Sequence, residues 1–126
     1  MKKCNPYKIF PVNKGQLEKF PCSILALGLA LMKVGRFPKN DLGVKVDDRG
    51  YCQLRNMDMA IRNHFSVVHY QYIRPEKRKK LGEYITFPGL YIVCVKGHYI
   101  FIQDKDYYSF FNNLDDEVVA YWKLEE

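Results

Sequence analysis

The chain has no CxxC pair, no cysteine–histidine cluster at metal-ligand spacing, no internal repeat, no low-complexity tract and no linker. Each absence removes a class of reading. Cys4, Cys22, Cys52 and Cys94 stand far apart, which excludes the usual metal frameworks. With 48% hydrophobic residues the chain has enough core to fold without disulfides, so free thiols and a reducing compartment are expected. The longest apolar run, Ile24 to Met32, is less than half of the roughly 20 residues that cross a bilayer. The opening MKKCNPYKIFPV is interrupted by Pro6 and Pro11 before an apolar segment develops, unlike a secretory signal. A soluble protein without a membrane partner is expected.

What is present fits one compact domain, since 126 residues suffice for one core and not for two ordinary ones. Helical patterns come first and strand patterns afterwards, which argues for an α+β fold. The first helix is predicted from about Pro21 or Cys22 to Val34, with proline at its start and Gly35 placed to end it. It is apolar nearly all round and so is expected to be buried on most sides. Phe37 to Cys52, with Pro38, Gly43 and Gly50, reads as loop. A second, amphipathic helix is predicted over about Leu54 to Phe65, where Leu54, Met57, Ile61 and Phe65 recur at spacings of three and four. Then follow five β-rich runs, SVVHYQY, LYIVCVK, HYIFIQ, YYSFF and EVVAYWKL, of which the last four suit a continuous antiparallel meander.

One cysteine stands out by position. A helix N-terminus presents unpaired backbone N–H groups and a positive dipole end, and both favour a thiolate. Cys22 occupies such a place, so a low thiol pKa is expected there. Thiolate attack on a carbonyl creates an oxyanion, for which Gln16, six residues upstream, can supply an amide donor beside a backbone N–H. The base must come from elsewhere in the fold. His98 opens the strand YIFI and follows Gly97, which would allow close backbone approach. If Lys105 centres the next turn, Asn112 lies across from His98 and can orient its ring.

Taken in this order, Gln16, Cys22 at a helix start and PGLYIVCVKGHYIFI resemble the papain-like cysteine peptidase superfamily, and within it the small branch of bacteriocin-processing peptidases and their relatives in phages and bacteria. The resemblance covers nearly the whole chain. It implies a papain-like α+β fold, with the cysteine-bearing helix packed on an antiparallel sheet. It also implies hydrolysis or transfer at an amide bond of a peptide or protein substrate, with no metal or organic cofactor. Cys22 would be the nucleophile, His98 the base, Asn112 the orienting group and Gln16 the oxyanion donor. Asn113, Ser109 and Asp115 stay open as alternatives to Asn112, because in a tight two-residue turn Ser109 takes a position where some relatives carry aspartate. Pro21 stands where relatives often have aspartate or a small polar residue. A cytoplasmic location goes with the same resemblance, in the host cytoplasm or, if phage-encoded, in association with the virion. The alternative is a catalytically silent papain-like module that binds a peptide or host protein.

Other features have plainer readings. Cys94 reads as a small buried hydrophobe, and nothing singles out Cys4 or Cys52. His64 and His69 read as structural or surface. The run Arg74 to Lys80 holds five of the basic residues behind the net charge of +6 and is expected to be a solvated loop, with nucleic-acid binding ranked third among the functions.

Overall fold

The structure, a computed structural model, describes residues 1–36, 42–84 and 87–125. Two helices, α1 (Cys22–Lys33) and α2 (Leu54–His64), pack against one six-stranded sheet. The strands are β1 (Lys2–Cys4), β2 (Val67–Tyr72), β3 (Phe87–Val95), β4 (His98–Asp104), β5 (Asp106–Tyr108) and β6 (Val118–Glu125), in the order β1-β5-β4-β3-β6-β2. Both helices and all five β-rich runs fall within a few residues of their sequence expectations. Residues 37–41 of the expected loop lie outside the described residues.

Helix α1 ends as its sequence dictates. Gly35 takes φ 79°, its N–H donates to the Met32 carbonyl at 3.1 Å, and Arg36 N–H reaches back to Leu31 O at 2.9 Å. That is a Schellman cap, which needs a residue tolerant of left-handed backbone. The helix lies across β4 and β3 and buries Ala26, Leu27, Leu29, Ala30 and Leu31. Burial of each such leucine is worth about 1.5–3 kcal/mol.

Side chains alternate across the central strands. Ile92, Cys94, Tyr99, Phe101, Ala120 and Trp122 face the helices. Val93, Val95, Ile100, Ile102, Tyr107 and Val118 form a smaller cluster on the opposite face, closed by Leu81. With both faces covered, β3 and β4 read as continuous apolar runs rather than as alternating ones.

Two expectations are corrected. The sheet is mixed, not wholly antiparallel, because β1 pairs in parallel with β5. The four-strand meander also stops after β3, β4 and β5. Strand β6 crosses over to the far side of β3, antiparallel to it, and carries β2 on its outer edge. The physical cause is visible at β5, a strand of three residues whose outer edge is taken by β1, while β3 is apolar on both faces and gains a second neighbour.

Turns set where the site residues fall. Val95 pairs with His98 across a two-residue turn in which Gly97 has φ 73°. No atom approaches within 4 Å of the position a Gly97 side chain would take, so that glycine serves the turn and not the close approach expected of it. On the other side of β4, Gln103 pairs with Asp106 across a turn of Asp104 and Lys105. That register is one residue tighter than a turn centred on Lys105.

Candidate active site

Pro21 is the N-cap of α1, with an extended backbone (φ −53°, ψ 145°), and Cys22 is the first helical residue. The start of α1 sits over the end of β4 that β5 leaves uncovered, since β5 stops where Tyr108 pairs with Phe101. Cys22 and His98 therefore line one cavity, of about 20 Å³ and walled by Leu25, Tyr99, Ser109 and Phe111. That volume is close to the space of a single water. Among the described residues no hydrogen bond joins Cys22 to His98.

The electrostatics of the two groups oppose an ion pair. Burial pushes the Cys22 thiol above its ordinary value, more than the backbone N–H groups of Tyr99, Ser23 and Cys22 pull it down. The low pKa expected at the helix start is thus corrected: desolvation by the apolar helix outweighs the N–H groups. Burial likewise lowers the pKa of His98, against an opposing pull from the Asp116 carboxylate. At neutral pH the resting pair is a thiol beside a neutral imidazole.

Gln16 is exposed and precedes a 3-10 turn, Leu17–Lys19. It lines a separate cavity of about 360 Å³ with Phe10, Val12 and Phe20. Its side-chain amide makes no hydrogen bond among the described residues. The loop that carries it is held by Tyr7, whose hydroxyl donates to Glu18 Oε1 at 2.5 Å and accepts from Gly15 N–H at 2.5 Å. Nothing in the sequence marks Tyr7 for this task, since its partners lie 8 and 11 residues away in a loop.

Asn112 is not brought to His98. It is exposed, and its Oδ1 accepts from Leu114 N–H at 3.1 Å and from the Tyr107 hydroxyl at 3.4 Å. Phe111, rather than Asn112, lies against His98, and their rings meet edge to face at 5.8 Å between centroids. Asp115 is exposed. Of the alternatives, Ser109 is the one that lines the Cys22–His98 cavity. Its hydroxyl donates to Asn113 Oδ1 at 2.7 Å and accepts from Phe111 N–H at 3.1 Å. Asn113 Nδ2 in turn donates to Asp116 Oδ2 at 2.8 Å. Asp116 carries no mark of its own in the sequence; the tight DKD turn, which moves Ser109 into the site, is the signal that leads to it.

The remaining thiols are remote from reactivity. Cys52 and Cys94 are buried, and desolvation pushes their pKa values up to about 11 and about 12. Tyr99 bridges this region through a 2.6 Å hydrogen bond from its hydroxyl to Cys52 O. His64 Nε2 bonds Leu42 O at 2.9 Å, and His69 is exposed near Glu125, as a structural and a surface histidine respectively. Arg74 to Lys80 is largely exposed, but it is less free than a solvated loop. Val118 N–H donates to Lys79 O at 2.9 Å, Leu81 N–H to Asp116 O at 2.9 Å, and Arg78 Nε to Ile73 O at 2.9 Å.

Among the described residues no group of three or more His, Cys, Asp or Glu could hold a metal ion, and no helix is long and apolar enough to cross a membrane. The chain matches no family model, no curated protein and no solved structure, so the site is read from its own geometry.

Proposed function

We propose that the protein is a papain-like cysteine peptidase or acyl transferase acting at amide bonds, with Cys22 as nucleophile and His98 as base. The observation that carries this reading is the meeting of Cys22, at the first turn of a buried helix, with His98, at the start of a core strand, in one cavity. Because both groups rest neutral, His98 acts as a general base that takes the thiol proton as sulfur attacks, then returns it to the leaving amine. The backbone N–H of Cys22 is one oxyanion donor. Gln16, exposed and without a side-chain hydrogen bond among the described residues on the loop before α1, is the candidate for the second. Asn112 has no part, since its amide oxygen is used within its own turn.

A specific observation favours a second reading. The cavity of about 20 Å³ admits no peptide as it stands, and a raised thiol pKa suits a silent module that binds a peptide or host protein through the outer surface. Incubation with a proteome-derived peptide library separates the two. New termini are expected with wild type and not with Cys22→Ser or His98→Ala, all three melting alike. Identical termini patterns in all three would leave only the fold.

A further inference from the structure

We infer that Ser109, Asn113 and Asp116 form a one-way hydrogen-bond relay that orients the His98 ring, so that a serine backed by a distant carboxylate does the work of a direct orienting group. The inference rests on the peptidase reading of Cys22 and His98. Ser109 and Asn113 are 3% and 4% exposed, so water does not compete for their polar atoms.

The polarity of the chain follows from its far end. An ionised carboxylate can only accept, so the Asn113 amide must turn its NH₂ toward Asp116, as the 2.8 Å contact has it. The Asn113 oxygen then faces Ser109 and takes the single hydroxyl proton at 2.7 Å. A lone serine could present either a proton or a lone pair to an imidazole; this one has its proton committed. One lone pair of Ser109 Oγ is filled by Phe111 N–H at 3.1 Å, which leaves one acceptor position.

His98 is the group placed to use it. Ser109 follows directly on β5, whose last pair sets Tyr108 across from Phe101, three residues from His98 on β4. Both side chains line the same cavity. Among the described residues no hydrogen bond joins the two at rest; an N–H turned from one ring nitrogen to Ser109 Oγ would fix the tautomer and leave the other nitrogen free to take the Cys22 proton, which is the arrangement a general base needs.

The test reads His98 directly. In ¹⁵N NMR at pH 8, wild type is expected to show His98 in one dominant tautomer. Ser109→Ala and Asp116→Asn should each shift it to a mixture and slow Cys22 alkylation by iodoacetamide about 10-fold. Ser109→Thr keeps the hydroxyl and should keep the tautomer. The double variant Ser109→Asp/Asp116→Asn puts a carboxylate beside the ring and should restore both readouts, which a purely structural staple would not do. An unchanged tautomer in folded Ser109→Ala and Asp116→Asn overturns the relay and leaves the peptidase reading intact. Loss of that reading shows separately, as unaltered library cleavage by Cys22→Ser, and the tautomer still decides the relay.

Discussion

Cys22 sets two demands against each other. Its helix start supplies N–H groups that favour thiolate, yet the same helix is apolar enough to bury the sulfur, and burial wins. The consequence is a pH dependence. Cys22 is half-buried whereas Cys4, Cys52 and Cys94 are buried, so it should be alkylated first, with a rate that climbs through a midpoint above the ordinary thiol value. Mass spectrometry of iodoacetamide adducts from pH 6 to 10 checks this. A midpoint below 7 would mean that a preformed ion pair exists after all. Phe111 bears on the same rate from outside. Its ring is 64% exposed and stands edge-on to His98, so it covers the site without being part of the core. Phe111→Ala should therefore speed alkylation several-fold with little change in melting temperature. An unchanged rate would mean that the ring does not guard the thiol.

At the scale of elements, both helices and the β3–β4–β5 hairpins were legible because their signals are local: a proline and a glycine bracket α1, a 3.6-residue period marks α2, and Lys96-Gly97 and Asp104-Lys105 sit between apolar runs. Strand β1 was not legible. Three residues, two of them lysine, carry no strand pattern, and their pairing with β5 joins segments about a hundred residues apart. The orienting residue was misplaced for a similar reason: one residue of turn length moves every later side chain to the other face. Gly97 shows how much a turn fixes. Its φ of 73° is left-handed, and with open space around it a methyl group adds strain but no clash. Gly97→Ala should cost about 1–2 kcal/mol in denaturant unfolding. A change near zero would show that the turn can take another shape.

For the whole molecule, the neutral resting state of the site is linked to stability. His98 is harder to protonate folded than unfolded, because burial lowers its pKa by more than Asp116 raises it. A depressed folded pKa means that the unfolded chain binds the proton first as pH falls. The stability present above the unfolded value, near 6.5, is lost as pH drops toward the folded one. The melting temperature of wild type should thus fall between pH 7 and pH 5, and His98→Gln should flatten that fall. Asp47, held low by Tyr51 N–H, titrates below this window and does not blur it. A wild-type melting temperature that instead rises over the same interval would show that the fold prefers an imidazolium. In that case Asp116 or a Cys22 thiolate outweighs burial, and the mechanism begins from an ion pair rather than from a neutral base.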